Sequence, residues 1–150
     1  MSFRTFLFPS YNGVSRAYSV LLLVVRVFFG FLFLMHGYAK LTAHASMADL
    51  FADPFGLGSV VSFWMVVFAE VVCAFSLIFG LLQRLVLIPM IFTMCTAFFI
   101  VHGNDAFAVK ELSFVYLVMF ALLYVTGPGK YSFDAAIGEH FVSEDNKDLP

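Results

Sequence analysis

Apolar positions dominate this chain in four long stretches, separated by short polar or glycine-bearing intervals. The first stretch predicts a helix over Ala17 to Tyr38, the second over Val60 to Leu82. The third runs from Leu85 to His102 and the fourth from Lys110 to Thr126. A bilayer is crossed by about 20 residues of helix, and the first two stretches reach that length. The last two stand near the lower limit of about 17, so their polar ends are expected at the membrane edge or in a locally thinned bilayer. The first stretch is too long for a signal-peptide core and no A-x-A-like site ends it cleanly, so it reads as a retained helix.

Short connections fix the neighbours. Leu82-Gln83-Arg84 allows only a tight turn, which makes the second and third helices antiparallel. Pro89 falls near the start of the third helix, where a missing N–H matters least. The interval from Ala39 to Ser59 has room for a short amphipathic segment with Met47, Leu50, Phe51 and Phe55 on one face, ended by Asp53-Pro54 and Gly56. Three regions are expected: an N-terminal segment over 1–16, a four-helix membrane domain over 17–138, and a solvated, flexible tail over 139–150.

Composition agrees with a lipid solvent. Of 150 residues, 62% are hydrophobic and only 12% charged, against about 25% charged in a soluble domain. Mean hydropathy is +0.96. These values exclude an ordinary soluble enzyme and a secreted disulfide scaffold. The net charge of -2, without a basic block, excludes nucleic acid as a partner. Cys73 and Cys95 stand alone in apolar runs, far from any CxxC spacing, and no metal site is expected. Arg4, Arg16, Arg84, Lys130 and Lys147 fall at the termini and the second turn, whereas only Lys40 and Lys110 fall in the other loops. The fold expected is therefore an all-α integral membrane protein, a four-transmembrane-helix bundle with both termini cytoplasmic.

Charged residues inside the spans carry the most information. Arg26 lies ten positions before His36, and Glu70 ten positions after Val60. Counted from the outer ends of their helices, both fall about 15 Å deep, near the midplane. An isolated charge there costs several kcal/mol, so an intramembrane ion pair between Arg26 and Glu70 is expected. Two roles stay open for it, a clamp on helix register or the floor of a polar cavity. Gly30, Phe33, Gly37 and Lys40 share the face of Arg26, and small residues there admit a close partner helix.

A second polar group gathers at the outer edge. His36, Lys40, His102 and Glu111 are the candidate ligand-binding residues, lining a quinone or other polar pocket. His36 and Lys40 are four apart and face one way. A His beside a Glu exchanges protons near neutral pH. Equally, such residues anchor helices by snorkelling into headgroups. Phe29, Phe33, Phe63 and Phe98 would offer ring faces to a flat ligand.

Arg26 with Phe28-Phe29-Gly30, and His36-Gly37-Tyr38-Ala39-Lys40-Leu41, resemble the opening signature of the DoxX family. Ala69-Glu70-Val71, Gly80-Leu81 and Arg84 resemble its second motif. His102, Glu111 and the closing Gly127-Pro128-Gly129 with Ser132 and Asp134 are similar to its second half. The resemblance covers Val20 to Asp134 in the family's order. It implies a small inner-membrane protein, some relatives of which are linked to thiosulfate:quinone oxidoreductases or to membrane redox complexes with soluble partners. Ser132 and Asp134 would then cap a short helix after the Gly-Pro-Gly stop. No haem-ligand pair, flavin fingerprint or redox CxxC occurs, so a quinone is the cofactor expected, or the carrier belongs to a partner. Three readings follow. The first is a quinone-interacting subunit of a membrane oxidoreductase, in contact with lipid and a protein partner. The second is a non-catalytic anchor or assembly factor, and the third a small-solute permease, most easily as a homo-oligomer.

Overall fold

The computed structural model describes residues 7–8 and 14–145, with side chains described to His140. Most of the expected N-terminal segment, and the tail from 146 onward, lie outside the described residues. Among the described residues, four helices are long and apolar enough to cross a membrane: α1 (Arg16–Thr42), α3 (Ser59–Phe79), α4 (Gln83–Val101) and α5 (Phe107–Thr126). A one-turn helix α2 (His44–Met47) and a 3-10 turn over Ala48–Leu50 follow α1. A last helix, α6 (Phe133–Asp145), follows α5. Among the described residues there is no strand.

The spans are longer than expected at three boundaries. α1 continues past Tyr38 to Thr42. α4 and α5 have 19 and 20 residues, full membrane length, so neither calls for a thinned bilayer. α3 instead stops early, at Phe79, because Gly80 turns left-handed at φ 65°. Pro89 stands seventh in α4, well inside the helix, where it removes the N–H that the Leu85 carbonyl would accept. The expected tail is helical through Asp145, as the last part of α6.

α1 packs along α3, α3 on α4, and α4 on α5, which closes back toward α1. The core between them contains Phe33, Leu77, Leu87, Met90 and Phe120. Outward faces are apolar too: Leu21, Phe28, Phe75 and Val125 are exposed, which suits lipid rather than water. One end of the bundle, here the turn end, holds the start of α1, the α3–α4 turn and α6. The other, the loop end, holds residues 43–58 and 102–106.

Glycines set the register of α1 against α3. A Cβ at Gly30 would stand 2.8 Å from Ile78 Cγ1, and one at Gly37 would stand 2.6 Å from Val71 Cγ2 and 2.9 Å from the backbone of Glu70. Each position therefore admits the facing helix only as glycine. Both α3 and α4 contain a π-helical turn, Phe68–Cys73 and Thr96–Val101. Such turns often mark functional sites. Glu70 stands in the first of them.

Candidate functional site

Arg26 and Glu70 do not pair. The glycine register puts Arg26 level with Ile78, eight positions beyond Glu70 along α3 and so about 12 Å away along the axis. Counting depth from helix ends failed because α1 runs on past Tyr38 and the loop end is staggered. Arg26, 1% exposed, donates through Nε to the Ile78 carbonyl at 3.3 Å and through Nη2 to that of Tyr131 at 2.6 Å. Its Nη1 donates to the Pro128 carbonyl. Gly80 makes room for it, since a Cβ there would lie 2.6 Å from Nη1. The Gly127-Pro128-Gly129 segment, with both glycines at positive φ, is thereby folded around the guanidinium.

Asp134 completes this end. Its carboxylate accepts from the backbone N–H of Leu82 at 2.7 Å and Gln83 at 2.8 Å. It thus caps α4, and it holds Leu82 at φ 48°, a conformation unfavourable to a branched side chain. Burial pushes the Asp134 carboxyl above its ordinary range, opposed by those two amides and by Arg26. Ser132 caps α6 through the Ala135 N–H at 3.1 Å, as expected from the sequence, whereas Asp134 serves a helix 52 positions earlier in the chain.

Glu70 finds its partner at the loop end. Lys40 Nζ donates to Oε1 at 2.8 Å and Oε2 at 2.7 Å, and the two side chains are 20% and 4% exposed. Ending α1 at Thr42 is what carries Lys40 down beside the π-helical turn of α3. The pair lies in the wall of a cavity of about 920 Å³ between α1, α3, α4 and α5. His36, Lys40 and His102 all line it, so three of the four expected ligand-binding residues come together. Glu111 does not join them. It sits exposed near the start of α5, away from the cavity wall.

The remaining wall is mostly aromatic and aliphatic. Phe33 lines it as expected, but Phe29, Phe63 and Phe98 are not in the wall. Tyr116, Trp64, Phe51, Phe55 and Phe92 take those places, and Ser113 adds a hydroxyl. The His36 ring meets Tyr116 edge-on at 5.8 Å. His102 Nδ1 donates to Asp105 Oδ2 at 2.8 Å. Ser113 and Tyr116 were legible in principle, being three apart on one face of α5. Phe51 and Phe55 were grouped on one face of the first loop, but of that group only these two turn to the cavity, and Met47 and Leu50 do not.

Over this geometry, the comparisons with known proteins are consistent. The DoxX family model matches residues 21–103. The inner membrane protein YqjF of Escherichia coli K12 is 31% identical over 122 residues, 78% of this chain and 92% of YqjF. An uncharacterized protein of Haemophilus influenzae Rd is 29% identical over 126 residues, 79% of this chain and 83% of the relative. No solved structure matches the chain. With four membrane-length helices and these matches, the chain is an integral inner-membrane protein and belongs to the DoxX family.

Proposed function

We propose that the loop-end cavity binds a lipid-soluble quinone, and that the protein is the quinone-interacting subunit of a membrane oxidoreductase complex. One observation carries this reading: a Lys40–Glu70 pair, with the carboxylate buried and the ammonium partly so, in the wall of a mainly apolar and aromatic cavity of about 920 Å³. Ligand sites generally combine such walls with a few placed polar groups, in volumes of about 300–1,000 Å³. An ammonium has three N–H donors, and Glu70 engages Lys40 through two contacts. The third suits a carbonyl oxygen. His36 and the Tyr116 hydroxyl supply further polar contacts, while Phe33, Trp64 and Phe92 offer ring faces.

These residues fit the group. Lys40, His36 and Tyr116 would hold its oxygens, and the aromatic wall would hold its ring. A quinone supplies two-electron, two-proton carrier chemistry when bound. Glu70 fixes the Lys40 head and neutralises it, so that the site presents donors without an unbalanced charge in the membrane. Arg16, Arg84 and Lys130 lie at the turn end, against Lys40 and Lys110 toward the loop end, and this Lys and Arg bias favours a cytoplasmic turn end and a cavity facing the other side.

Trp64 is the one tryptophan in the chain and lines the cavity, so its fluorescence reports occupancy. A short-chain ubiquinone titrated into detergent-purified protein should quench it saturably, and Lys40→Met or His36→Ala should weaken that quenching. Organic extracts of protein purified in mild detergent should also yield quinone by mass spectrometry. Linear, unsaturable quenching that both variants share, with no quinone in the extract, would sink the reading. A reproducible protein partner in that case would favour the anchor instead.

A further inference from the structure

We propose that the cavity is loaded sideways from the hydrocarbon layer, through a gap between α3 and the loop-end half of α4, and that residues 51–58 form a strap across the gap, latched by Phe55 on Phe92. The proposal rests on reading the cavity as a binding site, and it limits the ligand to uncharged molecules that partition into lipid.

The gap is visible in which residues do two things at once. Val61, Met65 and Phe68 of α3 and Phe92 of α4 line the cavity and are each 49–51% exposed. Side chains so exposed mark an open edge of the cavity; Val109 and Leu112 of α5 are exposed too, but it is the α3–α4 edge that the stacked Phe55 and Phe92 rings cross. α4 packs on the π-helical turn of α3, toward the middle of the bundle, and the loop-end parts of the two helices diverge from there. Every one of these edge residues is apolar. A charged ligand on this path would be stripped of water with nothing to replace it.

The strap closes the same opening. Phe51, Ala52, Pro54, Phe55 and Leu57 all line the cavity. On the α3 side the strap is tied firmly. The Asp53 carboxylate accepts from the N–H of Leu57 at 3.0 Å and Gly58 at 2.7 Å, and from the Ser62 hydroxyl at 2.8 Å. Phe51 also rests edge-on against Phe63 at 5.4 Å. On the α4 side, the tie is a stacked ring pair, Phe55 on Phe92, with centroids 5.7 Å apart and planes 22° apart. A stacked pair is individually weak. The α4 side is therefore where the strap parts.

Its backbone has room to move. Gly56 and Gly58 take φ values of 70° and 100°, and a Cβ at either would meet nothing within 4 Å. The Asp53 bonds to Leu57 and Gly58 make 53–58 one tied unit, and nothing packs against the Cβ positions of its two glycines to oppose its parting from Phe92. Met47, Leu50, Phe55 and Leu57 are all exposed, an apolar surface along this loop that suits lipid.

Thiol labelling of the full chain in lipid vesicles tests the route without any ligand. Ser113→Cys places a thiol on the α5 wall, and the unsubstituted chain, with Cys73 and Cys95, sets the background. With each rate normalised to that reagent's rate with free cysteine, N-ethylmaleimide should label the new thiol faster than a permanently charged thiosulfonate of similar size. Phe55→Ala and Phe92→Ala should each speed the uncharged reagent by about 2- to 10-fold, the range one aromatic pair supplies. Phe92→Leu keeps an apolar side chain while removing the stack, and it should behave alike if the alanine variants fail to fold. Equal normalised rates for the two reagents would establish an aqueous mouth and overturn the proposal. Unchanged rates in all strap variants, or no labelling by either reagent, would overturn it too. Because no quinone enters the assay, a failure of quinone binding and a failure of the lateral route are read separately.

Discussion

The two ends of the bundle treat buried charge in opposite ways. Each has a cation and a carboxylate: Arg26 and Asp134 at the turn end, Lys40 and Glu70 at the loop end. At the turn end Arg26 donates to three backbone carbonyls and Asp134 accepts from two backbone amides. Such groups hold the path of the chain, and no ligand displaces them without unfolding it. At the loop end the partners are each other, side chain to side chain, beside a cavity of about 920 Å³. The same chemistry thus builds the fold at one end and leaves donors available for binding at the other. What separates the two is the partner, not the residue type.

The hardest way to break this comparison is through Arg26. Arg26→Ala should destabilise the protein by about 3–5 kcal/mol, because three buried acceptors lose a charged donor at once. Thermal unfolding in detergent measures it. A variant as stable as the parent would mean that the Gly-Pro-Gly segment holds its shape without the guanidinium.

The loop-end pair should respond differently. Glu70→Ala leaves Lys40 without its carboxylate and should cost about 3 kcal/mol, near the lower bound for breaking a buried pair since Lys40 is partly exposed. Glu70→Gln, which keeps an acceptor, should cost less. Replacing both, as Lys40→Met with Glu70→Met, should recover most of the stability while leaving quinone-dependent quenching of Trp64 weak. If the double variant still bound quinone like the parent, the pair would be only a clamp, and the two ends would be alike after all.

The smallest effect concerns the strap. The Asp53 carboxyl is held below its ordinary value of 3.8 by the Gly58 N–H foremost, then by the Ser62 hydroxyl and the Leu57 N–H. A carboxyl lowered in the folded state stabilises it at neutral pH, and that contribution is lost as pH falls through the lowered value. Referred to the intrinsic exchange rate at each pH, the Leu57 and Gly58 amides should therefore be protected at pH 6 and lose that protection only in acid, below about pH 4. Asp53→Asn should raise exchange at pH 6 and flatten the pH dependence. An acid-insensitive loop in the parent would remove Asp53 as the tether.

How much of this was legible in the sequence depends on range. The four spans were visible because apolar runs of that length have only one stable solvent, and errors fell at boundaries. α4 begins at Gln83 because a carboxylate 51 positions away caps it, which no local pattern encodes. The roles of Arg26 and Glu70 as buried charges were legible from composition, but their pairing was not. Helix register here is set by where Gly30 and Gly37 admit the facing chain, not by counting from the ends. His36, Lys40 and His102 could be grouped because all end helices on the same side. Glu111 shares that side but points away, since position along a helix fixes depth and not azimuth.

The π-helical turn over Phe68–Cys73 has a further consequence, in helical phase. A turn of this kind holds one residue more than an α-helical turn, about 100° of rotation per residue. The two halves of α3 are thus offset in azimuth although their axis continues. Beyond the turn, Ala74 and Leu77 enter the core, Ala74 facing the α1 glycine stripe; before it, Val61 and Met65 look out over the cavity gap. Removing one residue between 68 and 73 would restore an even spiral and bring those faces into line. The helix would still cross the membrane, but its two halves could not serve their separate neighbours at once.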